Sequence, residues 1–321
     1  KNPKSRNEYF KNKMMKNSMI PFGLILTGIL TLESCGQNNT KNNDNPAPIN
    51  SEQNSSEKTK IITVDTPDEF VDAIGSDRII QLKGSTIYLS NVSQDKQGTN
   101  YKFVEESDGH ELTIFGVNNL KIIGLGDKPV KIITKPVYGD VIVFENCNNI
   151  TIENVDAGHG PEKGGCTGGV FNISNSKNFT INKSIMYGSG IEGITTSNVS
   201  GLKCNNSIIK GCTYSIMTLD RCNDFEFNTC EFTDNKEYDL INVSNCISVK
   251  FNSCSFTNNE TGTDDYSDYA IFNVSQSMSI VLKDCMIVSN LTAYFCRKAN
   301  TIELTNTKLE NNSFKKGNFK E

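Results

Sequence analysis

The sequence predicts an all-β protein in which a single chain winds into a solenoid of stacked β-coils behind a short N-terminal capping helix. The first observation behind this prediction is a repeat, because residues 222–232 match residues 246–256 position for position. Counted between the first apolar residues of successive repeated strands, the repeat recurs every 22 to 31 residues. These markers are Leu120, Ile150, Phe179, Leu202, Phe225, Val249, Ile280 and Ile302. Because a unit this short cannot bury its own apolar face, the repeats have to stack on one another.

The second observation is the period of the apolar residues inside each repeat. Segment 170–173 reads Val-Phe-Asn-Ile and segment 225–227 reads Phe-Glu-Phe. Alternation with period two, in β-branched and aromatic residues, favours strands. No repeat contains an amphipathic run of helix length, which excludes leucine-rich and helix-pair solenoids.

The third observation is that small and amide residues recur at fixed positions of the repeat. Equivalent residues of stacked coils lie about 4.8 Å apart, so these positions form columns along the solenoid. Two inward columns are predicted: Cys147, Ser176, Val199, Cys222, Cys246 and Ser277 in one, and Ser184, Ser207, Cys230, Cys254, Cys285 and Thr307 in the other. A column at the turn before the first of these contains Asn146, Asn175, Asn198, Arg221, Asn245 and Gln276. Stacked amides can bond along such a column, and Asn tolerates the left-handed backbone of a tight turn.

These patterns resemble the right-handed parallel β-helix superfamily, which includes the pectate lyases and many bacterial repeat proteins, over residues 61–309. The resemblance implies a right-handed parallel β-helix. It implies much less about activity, because the sequence has neither a Trp-Ile-Asp-His-like strand nor an Arg-x-Pro-x-x-Arg motif, which are signs of a pectate lyase. The paired-Asp pattern of the glycoside hydrolase branch is missing too, where two carboxyl groups about 5–9 Å apart would be needed.

Four segments are predicted along the chain. Residues 1–35 resemble a bacterial secretion signal, with an apolar run at 20–30 and a lipobox-like end in which Cys35 would be lipidated. The run is too short for a stable membrane span, and a lipidated Cys replaces a span. The alternatives are a plain cleaved signal and an unprocessed anchor. Residues 36–60 are polar and predict a disordered tether, 61–311 form the β-helix domain, and 312–321 form a frayed polar tail.

A short helix is predicted ahead of the first strands. Thr66 is the expected N-cap, Pro67 takes the first helical position, Glu69 completes a capping box and Gly75 ends the helix. Such a helix covers the apolar N-terminal end of a solenoid, which would otherwise recruit other chains.

The 11 cysteines are predicted to be reduced thiols packed in the core. Pairs such as Cys222 and Cys246 are one coil apart and therefore neighbours in a column, where a buried cysteine behaves as a small hydrophobe. The sequence has no Cys-x-x-Cys motif and only two histidines, which argues against a zinc site. One alternative stays open, a disulfide between Cys204 and another cysteine outside the columns.

Two insertions mark the candidate functional face. Residues 157–165 and 260–269 follow the same point of the repeat, so both should emerge on one side of the solenoid, about four coils or 19 Å apart. The candidate ligand-binding residues in and between them are His159, Glu192, Tyr214, Glu237, Tyr238 and Asp239. Tyrosine rings can lie against sugar faces and carboxylates can bond hydroxyls, which favours an extended glycan. The alternative is that these are ordinary solvated turn residues.

The sequence therefore favours an exported, lipid-anchored monomer of the cell envelope that binds glycan or has a structural or adhesin-like role. The formal charge of −5 and the lack of a basic face argue against a nucleic-acid partner. The alternative is a polysaccharide lyase acting on a uronate-containing glycan, for which Lys163, Lys210 and Arg221 are the candidate bases. Asp264, Asp265 and Asp268 could bind the Ca²⁺ that such chemistry often uses, and no other cofactor is expected.

Overall fold

The computed structural model describes residues 59–84, 86–160, 168–188, 190–262 and 267–319. Its N-terminal part contains β1 (Lys60–Val64), α1 (Pro67–Asp72), β2 (Arg78–Leu82), β3 (Thr86–Tyr88), a 3-10 turn (Leu89–Asn91), β4 (Tyr101–Glu106), β5 (Gly109–Phe115), β6 (Asn118–Gly124) and β7 (Val130–Thr134). Then follow β8 (Ile142–Glu145), β9 (Asn148–Glu153), β10 (Val155–His159), β11 (Phe171–Ser174), β12 (Lys177–Asn182), β13 (Ile185–Tyr187), β14 (Ile194–Ser197), β15 (Ser200–Asn205), β16 (Ile208–Lys210), β17 (Met217–Asp220), β18 (Asn223–Asn228), β19 (Glu231–Thr233) and β20 (Lys236–Glu237). The last strands are β21 (Ile241–Ser244), β22 (Ile247–Asn252), β23 (Ser255–Thr257), β24 (Glu260–Thr261), β25 (Ala270–Ser275), β26 (Met278–Lys283), β27 (Met286–Val288), β28 (Leu291–Cys296), β29 (Glu303–Thr305), β30 (Lys308–Glu310) and β31 (Ser313–Phe319).

The strands form three long sheets. Sheet A contains, in spatial order, β1, β2, β6, β9, β12, β15, β18, β22, β26 and β29. Sheet B contains β3, β7, β10, β13, β16, β19, β23, β27 and β30. Sheet C contains β4, β5, β8, β11, β14, β17, β21, β25, β28, β24 and β20, and β31 also pairs with β28. Each regular coil runs from sheet C to sheet A to sheet B, and neighbouring coils pair in parallel; the hairpin of β4 and β5 is antiparallel.

Strand register follows the markers of the sequence repeat. In sheet A, Leu120 pairs with Ile150 and Ile150 with Phe179, and further along Phe225 pairs with Val249. All five side chains are fully buried. The markers therefore line the inner side of sheet A, as the solenoid prediction requires. The residues that alternate with inward residues within each strand face outwards.

The predicted inward columns are confirmed, and they hydrogen-bond from coil to coil. The backbone N–H of Cys147 donates to Ser176 Oγ at 3.0 Å, and that hydroxyl donates to the carbonyl of Ser174 at 2.7 Å. In the same way, the backbone N–H of Cys222 donates to Cys246 Sγ at 3.4 Å. A hydroxyl or thiol at the corner pairs a backbone donor that would otherwise lie unpaired inside the protein, and Val199 is the exception in the first column.

The nine cysteines in the described residues are buried free thiols: Cys147, Cys204, Cys212, Cys222, Cys230, Cys246, Cys254, Cys285 and Cys296. For these nine, the prediction of reduced core thiols is confirmed. Cys204 lies beside Cys230, whose Sγ donates a hydrogen bond to Cys204 Sγ at 3.7 Å, and no disulfide joins the two. Cys35 and Cys166 lie outside the described residues.

Asparagine side chains form columns on the outside of the coils. All members of the predicted turn column have positive φ: Asn146, Asn175, Asn198, Arg221, Asn245 and Gln276. The Asn198 amide donates to Asn175 Oδ1 at 2.9 Å, which confirms bonding along this column. A second outer column at the ends of the sheet A strands is joined by amide bonds of 2.8–2.9 Å and contains Asn182, Asn205, Asn228 and Asn252.

An inner asparagine column, which the sequence analysis did not predict, follows sheet B in the C-terminal half. It contains Asn235, Asn259, Asn290 and Asn312. The Oδ1 atom of each later member accepts the backbone N–H of the member before it, at 3.0–3.1 Å. Asn235 and Asn259 are 0% and 1% exposed, so these amides replace backbone pairing in the interior.

Helix α1 covers the N-terminal end of the solenoid. Thr66 Oγ1 accepts the N–H of Glu69 and Glu69 Oε2 accepts the N–H of Thr66, both at 3.2 Å, so the predicted capping box is present. Pro67 is the first helical residue, as predicted. Phe70 and Val71 are fully buried, which shows how the helix closes the apolar end. No helix in the described residues is long and apolar enough to cross a membrane.

The C-terminal residues 313–319 differ from the frayed tail expected from their polar composition. They form β31, which pairs in parallel with β28. Phe314 packs with its ring centroid 5.9 Å from that of Phe295, and Lys316 Nζ lies 2.9 Å from Asp268 Oδ1. A single aromatic contact, an ion pair and strand pairing thus hold a segment whose composition suggests disorder.

Candidate functional site

The connections from sheet B to sheet C form one side of the solenoid. Two long ones, residues 160–170 and 258–269, contain most of the first predicted insertion and the whole of the second, and both join these two sheets. Both insertions therefore leave the solenoid on the same side, although residues 161–167 and 263–266 lie outside the described residues. We call the outward side of sheet C, together with the connections that enter it, the sheet C face.

Carboxyl groups recur at every second coil where the chain enters sheet C. Strand register places the following residues in one column: Asp140, Gly169, Glu192, Ser215, Asp239 and Ala270. Its three acidic members are buried, with Asp140 at 4% exposed and the other two at 7%. Two coils correspond to about 10 Å along the solenoid, so the face carries a regular row of fixed carboxyl groups.

Asp140 is held by the backbone of the next coil. Its Oδ1 accepts the N–H of Gly169 at 2.6 Å, and its Oδ2 accepts the side-chain amide of Asn172 at 2.9 Å. The N–H of Asp140 itself donates to Glu111 Oε2 at 2.8 Å. Charge-assisted bonds of this kind fix the orientation of a carboxylate, so Asp140 presents a defined acceptor to the sheet C face.

Asp239 repeats this arrangement and adds a cation. Its Oδ1 accepts the N–H of Ala270 at 2.9 Å, and its Oδ2 lies 3.3 Å from the amide nitrogen of Asn273. Arg297 binds the same carboxylate, with Nε 2.8 Å and 2.9 Å from the two oxygens and Nη2 2.7 Å from Oδ2. Burial lowers the pKa of Arg297, but the bonds and charge of Asp239 outweigh it and raise the pKa overall.

Glu192 occupies the middle of the row. Thr218 Oγ1 donates to Glu192 Oε1 at 2.5 Å. Thr218 lies on the outward side of β17, in register with Thr195 and Asn172. From β11 to β25, the outward residues in register with Thr218 are Asn172, Thr195, Asn242 and Asn273, so polar side chains lie on the same side of the sheet as the carboxyl groups.

Three tyrosines stack beside this row, one position before it in the chain. The ring centroids of Tyr214 and Tyr238 are 5.3 Å apart with an interplanar angle of 32°, and those of Tyr238 and Tyr269 are 5.1 Å apart at 77°. The guanidinium of Arg297 lies 5.8 Å from the Tyr269 centroid. Tyr238 is 37% exposed, whereas Tyr214 is buried, so the middle ring presents most of the column to solvent.

The structure brings four predicted residues together on this face: Glu192, Tyr214, Tyr238 and Asp239. Asp140 and Arg297 were missed by the sequence analysis. Asp140 occupies the same column as Glu192 and Asp239, so aligning the repeats at the start of the sheet C strand would have found it. Arg297 is 58 residues from Asp239. Extending the register of β25 and β28 by one residue places it opposite Asn273, in an outward column where the coils from β11 to β25 carry Asn or Thr.

The remaining predicted residues belong neither to the row of carboxyl groups nor to the tyrosine column. His159 is 2% exposed, and its Nε2 lies 2.9 Å from the carbonyl oxygen of Gly139. Glu237 is exposed with a φ of 83°. Lys210 lies on the outward side of sheet B. Arg221 lies at the corner between sheets C and A, where it forms an ion pair of 2.9 Å with Asp220.

The candidate metal site is mostly outside the described residues. Asp264, Asp265 and the candidate base Lys163 are among the residues not described, as is Cys35. Asp268 is described and forms its ion pair with Lys316. Within the described ranges, no three acidic, histidine or cysteine side chains are grouped so that they could hold a metal ion.

The sequence matches no protein-family model and no curated protein. Comparison of structures does find matches. A pectate lyase from Paenibacillus sp. 0602 superimposes with a TM-score of 0.56 at 10% identity, covering 81% of this chain and 79% of that chain. The chain folds as a right-handed parallel β-helix. At this identity the likeness shows the fold alone.

Two further matches have lower TM-scores. One is a polygalacturonase from Erwinia carotovora ssp. carotovora, with a TM-score of 0.43 at 11% identity, covering 82% of this chain and 87% of that chain. The other is PfbA, a surface adhesin of Streptococcus pneumoniae, with a TM-score of 0.36 at 10% identity, covering 81% of this chain and 80% of that chain.

Proposed function

We propose that this chain is an exported glycan-binding protein of the cell envelope, which holds an extended carbohydrate along the sheet C face. The observation that carries the proposal is the column of Tyr214, Tyr238 and Tyr269 beside the row of fixed carboxyl groups. Aromatic rings offer flat apolar surface to a sugar, while carboxylates and amides accept and donate bonds to its hydroxyls. A face that runs across several coils fits a polymer better than a small molecule.

The charge of the face favours a neutral or amino-sugar glycan over a uronate polymer. Asp239 and Arg297 balance each other's charge, and the other two residues of the row, Asp140 and Glu192, are acidic. A polymer that carries its own carboxylates would bring like charges together here, and this repulsion would weaken its binding. Hydroxyl groups meet no such repulsion.

The alternative of a polysaccharide lyase needs a base close to the bound uronate. Two of its candidates lie outside the carboxyl row, since Lys210 is on sheet B and Arg221 is paired with Asp220 where β17 ends. Binding without cleavage is therefore the function we propose. A rise in the absorbance of unsaturated products, when uronans are incubated with the full chain and Ca²⁺, would replace it with a lyase.

The test is polysaccharide binding by the full chain and by matched tyrosine variants. Tyr238→Ala removes the exposed ring of the column, and we expect about tenfold weaker binding or more, because a central aromatic contact is typically worth over 1 kcal/mol. Tyr238→Phe keeps the ring and should retain most of the affinity. Tyr88→Ala is the control, because Tyr88 is 44% exposed but lies on sheet B.

Two results would contradict the proposal. The first is that no neutral or amino-sugar polysaccharide binds on an array or in affinity electrophoresis. The second is that Tyr238→Ala binds as tightly as the unsubstituted protein, or loses no more affinity than Tyr88→Ala. Circular dichroism of each variant checks that the fold is retained.

The same proposal includes a lipid anchor at Cys35, supported by the secretion-signal pattern of residues 1–35. Cys35→Ser should move the expressed protein from the detergent phase to the aqueous phase in a two-phase extraction. Unchanged partitioning would remove the anchor from the proposal and leave the glycan site to be judged by its own test.

A further inference from the structure

The C-terminal end of the solenoid exposes apolar side chains whose equivalents in the preceding coil are buried. In the described part of the chain, β29 is the last strand of sheet A and β30 the last strand of sheet B. Leu304 pairs in register with Leu282, and Leu309 with Ile287. Leu282 and Ile287 are fully buried, but Leu304 is 41% exposed and Leu309 is 36% exposed.

The backbone of β30 also has hydrogen-bonding groups directed at this open end. The N–H of Lys308 donates back to the carbonyl of Cys285 at 2.9 Å, and the carbonyl of Glu310 accepts the N–H of Ser289 at 3.2 Å. Successive residues of a strand direct their backbone groups to opposite sides. The N–H and C=O of Leu309 therefore point away from the preceding coil, towards the edge.

The other end of the solenoid cannot pair with this edge. Helix α1 covers the N-terminal end, where Phe70 and Val71 are fully buried. Head-to-tail stacking, which would give an open filament, is thus blocked. An edge that meets its own counterpart in a second copy gives a closed, two-fold arrangement instead.

We propose that two copies of this chain form a two-fold dimer by antiparallel pairing of β30 with β30, centred on Leu309. At the centre, the two Leu309 residues exchange both backbone N–H···O bonds, as a hydrogen-bonded antiparallel pair does. This register places Lys308 opposite Glu310 of the partner subunit, and Glu310 opposite Lys308 of the partner subunit. The strand Lys308–Glu310 is thus complementary in charge to a reversed copy of itself.

The pairing also accounts for the exposed leucines. Leu309 points inwards, so its side chain would meet its own counterpart across the axis and continue the core from one solenoid into the next. Leu304 on the neighbouring strand would be covered by the same contact. Burial of such side chains stabilises a contact, and the isolated solenoid leaves both of them partly exposed. The monomer expected from the sequence is replaced by a dimer in this proposal, which is independent of the glycan proposal.

The test uses charge reversal in the full chain, kept in a mild detergent because of its apolar N-terminal run, with the oligomeric state measured by sedimentation equilibrium. Lys308→Glu alone and Glu310→Lys alone each put like charges opposite one another at two symmetric positions. We expect each to weaken the dimer about 10- to 100-fold. Mixed in equal amounts, the two variants should form a heterodimer about as tight as the original, because every pair is again of opposite charge. Lys121→Glu, an exposed charge on sheet A near the other end, is the control.

Three results would overturn the proposal. In the first, the unsubstituted chain stays monomeric up to about 100 µM, so that the dissociation constant of any dimer would be higher than a specific contact of this kind should give. The chain dimerises, but neither single variant weakens the dimer more than the control does, which would place the interface elsewhere. The single variants are monomeric and their mixture stays monomeric, which would show that the substitutions damage the coil rather than a pair of charges.

Discussion

Replacing Asn259 by alanine should destabilise the protein far more than replacing a surface asparagine that makes the same kind of bond. The Asn259 amide donates to the carbonyl of Phe232 and to Asn290 Oδ1, both at 2.9 Å, and its Oδ1 accepts the N–H of Asn235 at 3.1 Å. The residue is 1% exposed, so water cannot replace these partners. Alanine would leave the Asn235 N–H and the Phe232 carbonyl without the side chain that pairs with them. A buried group left unpaired costs about 1–3 kcal/mol, which gives a loss of about 2–6 kcal/mol.

The matched control is Asn228→Ala in the outer column. Asn228 donates to Asn205 Oδ1 at 2.8 Å and accepts from the amide of Asn252 at 2.9 Å, but it is partly exposed and water can take over both bonds. We expect a loss of about 0.5–1 kcal/mol there. Urea unfolding followed by circular dichroism measures both values, and the melting temperature should fall by about 2–4 °C for each kcal/mol. Equal losses for the two variants would refute the claim that the inner column satisfies otherwise unpaired backbone.

A second variant at the same position adds a pH signature. Asn259→Asp keeps the shape of the side chain but turns an oxygen towards the Phe232 carbonyl and Asn290 Oδ1, both acceptors. Ionisation is therefore opposed in the folded state, and the pKa of the new carboxyl should lie above the ordinary Asp value of about 3.9. A raised native pKa means that the folded state binds the proton more tightly, so the loss of stability should grow as the pH rises from about 4 to 7. A loss that does not vary with pH would contradict this.

Three further outcomes follow from the structure. Burial raises the pKa of Asp156, although nearby lysine charges oppose it, and its buried Oδ1 has no hydrogen-bond partner among the described residues. Asp156→Asn should therefore stabilise the fold by about 1 kcal/mol at pH 7, and this gain should vanish near pH 3, where both states of the original protein hold the proton; urea unfolding at the two pH values checks it. Gly158→Ala should cost about 1–3 kcal/mol, measured as a fall in the urea midpoint, because a Cβ there would lie 2.5 Å from the carbonyl oxygen of Tyr187 and 2.7 Å from its ring. Burial raises the pKa of the Cys147 and Cys296 thiols, so neither should react with a thiol reagent at pH 8 until the protein is unfolded, and rapid labelling of both in native protein would contradict their packing.

The fold could be predicted from sequence because the solenoid repeats one set of constraints. A residue such as Leu120 or Ile150 reappears at the same place in each coil, and register then follows from the spacing alone. The inner column of Asn259 and its neighbours was missed although its spacing is fixed, since each member comes two residues after the end of a sheet B strand. An asparagine just after a strand looks like an ordinary turn residue as long as its burial is unknown.

The candidate site could be predicted only in part, for a related reason. Tyr214, Tyr238 and Asp239 lie in short connections between two insertions, and the position of those insertions in the repeat shows which side they share. The partner of Asp239 could not be deduced, because Arg297 directly follows β28, whose pairing with β31 contains a register shift, and the earlier coils carry no cation at its position. The candidate base Arg221 stays a prediction. It directly follows β17 at the corner towards sheet A and binds Asp220 and Ser197, which lie at the ends of two sheet C strands.

The two ends of the solenoid differ, so local unfolding should begin at the C-terminal coil rather than at the N-terminal one. Each coil touches only its neighbours, so loss of structure can begin at a terminus and move inwards one layer at a time. Helix α1 seals one terminus, whereas the last coil leaves Leu304 and Leu309 in contact with water. Amide protons of an isolated solenoid should therefore exchange fastest at β29 and β30 and progressively more slowly towards the middle. A partner that binds to the last coil would slow amide-proton exchange in that coil and in the several coils that precede it.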